Sequence, residues 1–221
     1  MLTVFTDPPY GVDYSGGFKK REKLDNDHKG TEIYSAFLSL ALLYTKQDAG
    51  MYLFYAGGKF GKPVVDAVTD SGGWDIKTQL IWYKNVAQFG GFVAMNLNYK
   101  QKHEPLLYCK KTSAKEVRWF GPNNETTVWE IDRLPKNEHH PTEKPIALAQ
   151  RALRNSTEEG DIVADFFGGS GSTLIAAASM GRRAFVMEKE PKYVDIIRRR
   201  WAKFAEENGL DIGDGIPNTP F

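Results

Sequence analysis

Two stretches of this chain hold residue types whose spacing could do chemistry. Val163-Ala164-Asp165-Phe166-Phe167-Gly168-Gly169-Ser170-Gly171-Ser172-Thr173 is an apolar run ending on an acid, then a glycine-rich turn, then a run that reads as a helix. That order brings backbone N–H groups up to a nucleotide-like cofactor, because glycines let the chain turn sharply and approach closely. Glu188, followed by Lys189, falls twenty residues after Gly168 and ends the next apolar run. In doubly wound folds an acid there accepts hydrogen bonds from ribose hydroxyls. Taken singly, the glycines suit an ordinary tight turn and Glu188 a solvated strand end; their joint spacing favours a cofactor. Glu190, at the head of a helix, better suits that helix's N-terminal dipole than a ligand.

The second stretch is Asp7-Pro8-Pro9-Tyr10, at the end of the apolar run Leu2 to Phe5 and followed by Gly11. A chance match to these four residues arises in roughly one chain in a thousand of this length. The alternative to a reactive site is a strand-terminating turn. His103, His139 and His140 lack a cysteine or carboxylate arrangement suited to zinc, so no metal site is expected.

The elements that must position these residues alternate in type. Strands are expected at Leu2 to Thr6, Gly50 to Ala56, Thr78 to Tyr83, Pro105 to Lys110, Ile162 to Phe166 and Arg183 to Met187. Helices are expected at Gly30 to Thr45, with Ile33, Phe37, Leu40, Ala41 and Tyr44 at helical spacing, and at Lys59 to Thr69, Ile146 to Asn155, Ser172 to Met180 and Tyr193 to Glu207. The middle, 111–140, reads as irregular and polar, and 208–221 as a flexible tail. Such alternation implies a mostly parallel sheet covered on both faces.

At 221 residues the chain suits one large α/β domain, here 1–207, with 111–140 as a short insert. The net charge of +1 gives no global nucleic-acid signal. Between Lys59 and Arg118, however, ten Lys and Arg stand against five acids, an excess that suits either a phosphate-facing surface or solvated lysines. Lys84, Lys100, Lys102 and Arg118 are its candidate phosphate contacts, and Lys19-Lys20-Arg21 is open to the same two readings. Cys109, the single cysteine, excludes an intrachain disulfide. The absence of a signal-like segment or a spanning apolar run makes the cytoplasm the expected compartment, with no membrane partner.

On these residues the chain resembles the β group of DNA amino-methyltransferases, in which the catalytic tetrapeptide comes first and the cofactor loop last, a circular permutation. His140-Pro141-Thr142-Glu143-Lys144-Pro145 is similar to that family's His-Pro-Thr-x-Lys-Pro segment, which closes over the methionine end of the cofactor. Ile81-Trp82-Tyr83-Lys84-Asn85, His103-Glu104-Pro105, Thr127-Val128-Trp129-Glu130 and Arg182-Arg183-Ala184 look most like the methylase portion of phage and plasmid ParB-methyltransferase fusions. The resemblance runs from about Val4 to about Phe204. It implies a Rossmann-like, doubly wound, permuted α/β fold, S-adenosylmethionine as cofactor and DNA as partner.

The resemblance also implies roles. An exocyclic amine of a nucleobase donates its lone pair into the ring, so the site must draw that pair back onto nitrogen. The Asp7 side chain and the Pro8 carbonyl are the two acceptors that do so, and the carboxylate stabilises the charge developing on nitrogen. Proline fits because its fixed φ holds the carbonyl rigidly and it brings no competing N–H. Pro9 belongs to the same catalytic tetrapeptide, and Tyr10 resembles the ring that stacks on a base flipped out of the duplex. Thr142 and Lys144 fall in the closing segment. Asp165 through Thr173, Glu188 and Lys189 form the cofactor site. Trp82 and Tyr83 suit either a base pocket or the core. Phe166 replaces the family's usual proline, which should alter packing of the turn more than cofactor contact.

In the family another βα stretch precedes the catalytic strand, and here only five residues precede Thr6. The expectation is a missing N-terminal strand, leaving a sheet edge exposed or covered by an upstream domain or a partner. Asp at the first tetrapeptide position favours adenine N6 over cytosine N4. RNA adenine and an inactive nucleic-acid-binding remnant are the other readings; a protein glutamine substrate is opposed by the Asp and by the motif order. Related enzymes are often homodimers.

Overall fold

The computed structural model describes residues 2–9, 32–58, 61–84, 102–133 and 143–211. In chain order its elements are β1 (Leu2–Thr6), α1 (Glu32–Tyr44), β2 (Gly50–Phe54), α2 (Lys62–Asp70), β3 (Trp74–Tyr83), β4 (His103–Lys111), β5 (Val128–Glu130), α3 (Ile146–Ser156), β6 (Ile162–Asp165), α4 (Ser172–Ala178), β7 (Arg183–Val186) and α5 (Pro191–Glu207). The strands form one sheet in the order β5-β3-β4-β2-β1-β6-β7. β1 runs parallel to β2 and β6, β6 to β7, and β3 to β5; β4 alone is antiparallel to its neighbours β2 and β3. This is the doubly wound, mostly parallel architecture expected.

Alternation along each strand splits the core in two. Val4, Met51, Leu53 and Ala164 face one side, where Tyr34, Phe37, Leu38 and Ala41 of α1 and Val64, Ala67 and Val68 of α2 cover them. Phe5, Tyr52, Phe54 and Val163 face the other, under Leu148, Ala149, Ala152 and Leu153 of α3 and Ala176 and Ala177 of α4. β2 is buried along its whole length, as a strand covered on both faces must be. Among the described residues no helix is long and apolar enough to cross a membrane.

Three expectations are corrected. The buried stripe of α1 is Tyr34, Phe37, Leu38 and Ala41, while Leu40 and Tyr44 are exposed. The helix is apolar nearly all round, so spacing alone does not choose its face. β3 begins at Trp74, four residues early, because a register irregularity between Ile76 and Thr78 breaks the alternation that would reveal it. The region 111–140 holds a strand, β5, in which Trp129 is buried between exposed Val128 and Glu130, too short to show a period.

The order of construction sets the site. From β1 the chain builds β2, β4, β3 and β5 toward one edge, then returns to the opposite side of β1 for β6 and β7. The reversal lies between β1 and β6, and ligands of open α/β sheets bind beyond the carboxyl ends of strands at such a switch point. The described sheet ends at β7, where Phe185 is 63% and Met187 56% exposed.

Candidate functional site

Parallel pairing brings Asp7 after β1, Asp165 at the end of β6 and Glu188 after β7 to one end of the sheet. Thr6 ties the first two together: its hydroxyl donates to Asp165 Oδ1 at 2.9 Å and accepts from the Phe166 N–H at 3.1 Å. Asp165 also accepts from Thr173 Oγ1 at 2.6 Å and from the Phe167 N–H at 3.1 Å. Burial outweighs these bonds and pushes the Asp165 carboxyl up to about 6.

The glycine-rich turn closes on β7. Gly168 N–H donates to the Met187 carbonyl at 2.8 Å, and a Cβ at Gly168 would overlap Val186. Gly169 and Gly171 have φ of 52° and 82°, a region where side chains are strained. Glu188 holds this turn from the side, accepting from the Gly169 N–H and from the Glu190 N–H, each at 2.8 Å. Glu190 is the N-cap residue of α5 and makes no side-chain capping bond. Phe166 and Phe167 lie 5.9 and 5.4 Å from the Phe37 ring of α1, so the residue replacing proline is used in packing.

Asp7 lies in a charged network. The Lys144 ammonium bonds Asp7 Oδ2 and stands 3.2 Å from Glu104 Oε2, and Glu104 Oε1 is in turn bonded by Lys84. Burial opposes the charge on Glu104, but Lys144 and Lys84 outweigh it and hold the carboxyl down at about 2. Burial likewise opposes the charge on Lys144, and Asp7 and Glu104 reverse that and raise its ammonium above the usual lysine range. The Lys144 ammonium also lies 4.9 Å from the Phe54 ring centre. On the other side of the turn, the Tyr34 hydroxyl donates to the Pro9 carbonyl at 3.0 Å and fixes its direction.

Residues without a role in the sequence reading complete the arrangement. Glu104 was visible only inside a motif, and its partnership with Lys144 joins positions forty apart. Buried Glu143 accepts from Arg200 Nη1 at 2.7 Å, and the same nitrogen donates to the Ser170 carbonyl and hydroxyl at 2.9 Å. Arg200 thereby bolts the segment carrying Lys144 to the glycine turn. An arginine within a helix carries no sequence signal for that role.

Of the candidate phosphate contacts, Lys84 belongs to the Asp7 network, and exposed Lys102 is joined to it by a Lys84 N–H to Lys102 carbonyl bond of 2.8 Å. Arg118 sits elsewhere, bonded to Glu158 and 3.3 Å from Asp161, where β6 begins. Lys62, Lys77 and Lys110 pair with Asp66, Glu116 and Asp75, and buried Lys111 donates to the carbonyls of Leu42 and Thr45. These pairs use acids already counted in that region, so they leave its excess of basic residues in place, while Arg118 is met by acids from outside it. Tyr10, Lys100 and Thr142 lie outside the described residues. Ser170, Ser172 and Thr173 stay with the glycine turn, and Lys189 follows Glu188 at its edge.

Comparison with known proteins places this geometry. The profile of the DNA methylase family matches residues 2–199. The chain is 26% identical over 235 residues to the Type II methyltransferase M2.DpnII of Streptococcus pneumoniae, covering 94% of this chain and 85% of that protein. Among solved structures, the M1.HpyAVI–SAM complex superposes with a TM-score of 0.65 at 24% identity, over 90% of this chain and 87% of that one. The cytosine-N4-specific PvuII DNA methyltransferase does so with a TM-score of 0.71 at 17% identity, over 93% and 83%.

Proposed function

The chain belongs to the N6/N4 DNA methylase family, and from that premise we propose that it methylates adenine N6 in DNA using S-adenosylmethionine. The observation that carries the proposal is the position of Asp7 and Pro8 at the carboxyl end of β1, beside Asp165 at the switch point of the sheet. The donor set suits the cofactor. The Glu188 carboxylate uses two acceptor positions on backbone N–H groups and keeps others for ribose hydroxyls. Asp165, met by three donors, fixes the shape of the turn that receives the cofactor. Residues 165–173, Glu188 and Lys189 would hold the cofactor, with Thr142 and Lys144 on the closing segment. When bound, it supplies an electrophilic methyl group on a sulfonium.

The remaining chemistry falls to the tetrapeptide. Asp7 accepts a hydrogen bond from one N–H of the target amine and the Pro8 carbonyl accepts one from the other. The nitrogen lone pair then points away from both toward the methyl group, and the carboxylate stabilises the positive charge that develops on nitrogen. A carboxylate has about four acceptor positions, enough for Asp7 to bond Lys144 and an amine together. Lys144 fixes the rotamer of Asp7, and Glu104 and Lys84 balance its charge. Tyr10 stacks on the flipped base and Lys100 and Lys102 face phosphates, while Lys84 is engaged by Glu104 and Arg118 by Glu158 and Asp161 at the far end of β6.

This reading takes the chain as the permuted β-group arrangement, similar to the methylase portion of ParB fusions, in a single domain over 1–207 that acts in the cytoplasm. It includes a homodimer, tested by sedimentation, and an upstream strand or partner against the β7 edge. Labelled-methyl transfer to DNA, followed by chromatography of the hydrolysed nucleosides, tests the function: N6-methyladenine is expected. Cytosine is the second reading, favoured by the fold shared with the PvuII enzyme, and N4-methylcytosine as the product would establish it. Label appearing only in RNA would overturn both.

A further inference from the structure

We propose that a cavity on the α3 face of the sheet, lined by none of the residues around Asp7, binds a planar heteroaromatic molecule of the nucleobase or nucleoside class. The cavity has a volume of about 400 Å³, within the range of small-molecule sites. Its floor is the sheet, with Tyr52 of β2 and Tyr108 of β4, and its roof is the chain from Trp119 to Trp129.

Two of its polar atoms make no well-formed hydrogen bond. Tyr108 Oη and Asn155 Nδ2 are both buried without one, on residues that are 7% and 1% exposed. The Tyr52 and Ser156 hydroxyls are bonded to each other at 2.7 Å and lie near enough to Tyr108 Oη to act on it as weak hydrogen-bond partners, so Asn155 Nδ2 is the fully unmet group. Buried polar groups are almost always satisfied, so an unmet amide and a weakly met phenol lining one cavity point to a ligand that supplies their partners.

The walls say what kind of ligand. Tyr52 and Tyr108 stack with centroids 4.8 Å apart, Trp119 lies 6.3 Å from Tyr108, and Trp129 lies 6.0 Å from Tyr52. Trp119 is 41% exposed and offers a ring face for a flat guest. The phenol and the amide N–H₂ can meet the ring nitrogens and carbonyls at a base edge. Thr78, Thr126 and Lys77 supply hydroxyls and a cation suited to a sugar. The site is also preformed. The Phe120 N–H donates to the Asn155 carbonyl at 2.8 Å, and Trp129 Nε1 to the Thr126 carbonyl at 3.1 Å. Arg151 braces the roof through Glu125 and the Trp129 ring.

The test is tryptophan fluorescence of the full chain titrated separately with adenosine, guanosine, cytidine and uridine. S-adenosylhomocysteine is kept at saturation so that a cofactor pocket does not report. At least one nucleoside should quench saturably below the millimolar range. Tyr108→Phe and Trp119→Ala should each lower that affinity about tenfold, and Tyr108→Phe should not lower the melting temperature of the ligand-free chain, since its hydroxyl is at most weakly bonded there. No saturable quenching by any nucleoside would overturn the proposal. So would equal affinity in both variants and the parent, or a crystal soaked with the tightest nucleoside that shows only ordered water in the cavity.

Discussion

Asp7 and Asp165 end neighbouring parallel strands and share a partner in Thr6, the residue before one and the donor to the other, yet their surroundings are opposite. Asp165 is enclosed and met by neutral donors only, and its carboxyl is pushed up to about 6. Asp7 is partly open and bonded by the Lys144 ammonium, which Glu104 and Lys84 balance. The difference separates a carboxylate held inside a turn from one held, partly open, in a charged network. Neutral donors hold a side chain in place from within, whereas a balanced ionic network orients an acceptor and leaves one side of it toward solvent.

The largest effect should come from breaking the ionic side. Lys144→Met leaves Asp7 without its ammonium, and losing one partner of a buried pair typically costs about 3–5 kcal/mol. Urea denaturation should show a loss of that order, and a variant as stable as the parent would mean that Lys144 is not the centre of the network. Asp7→Ala should cost less in folding, because Lys144 keeps Glu104, but it should abolish methyl transfer. Removing a charge-stabilising acceptor is worth on the order of 3 kcal/mol or more at the transition state. Near-normal turnover of the purified variant, with cofactor affinity intact, would contradict the assigned chemistry.

The two environments also predict opposite responses to pH. Between about pH 4 and 6 the folded chain retains a proton on Asp165 that the unfolded chain has released, so stability falls as pH rises through that window. Glu104 acts in reverse: its contribution is complete above the ordinary glutamate range and is lost as pH falls toward about 2. Asp165→Asn should remove the first slope, worth on the order of 3 kcal/mol for a shift of about two units, and leave the second in place. Melting temperatures from pH 3 to 8 would show this, and an unchanged profile would remove the contrast. The smallest effect is expected at Glu188. Glu188→Ala should weaken S-adenosylmethionine binding roughly ten- to a hundredfold through two lost charge-assisted hydrogen bonds, and unchanged calorimetric affinity would move the ribose contact elsewhere.

Most of the fold was legible because long buried segments announce themselves. β1 has its expected limits, and the β6–turn–α4 unit was readable from Asp165, Gly168, Gly169 and Gly171, since positive φ and close approach leave glycine as the unstrained choice. What escaped was short, irregular or apolar on every side: β5 with one buried residue, the start of β3 ahead of its register shift, and the orientation of α1.

The sequence by itself determined the alternation of elements, the acid at the end of each site strand and the tetrapeptide, because these depend on local periodicity and on backbone conformations that few residues accept. Only the tertiary structure decided the partners. It set Lys144 between Asp7 and Glu104, Arg200 between Glu143 and Ser170, and left Asn155 Nδ2 unmet and Tyr108 Oη weakly met in an aromatic cavity. Those pairings join residues tens of positions apart on different elements. Charge and hydrogen-bond complementarity act through space at a few ångströms, a separation that spacing along the chain does not encode.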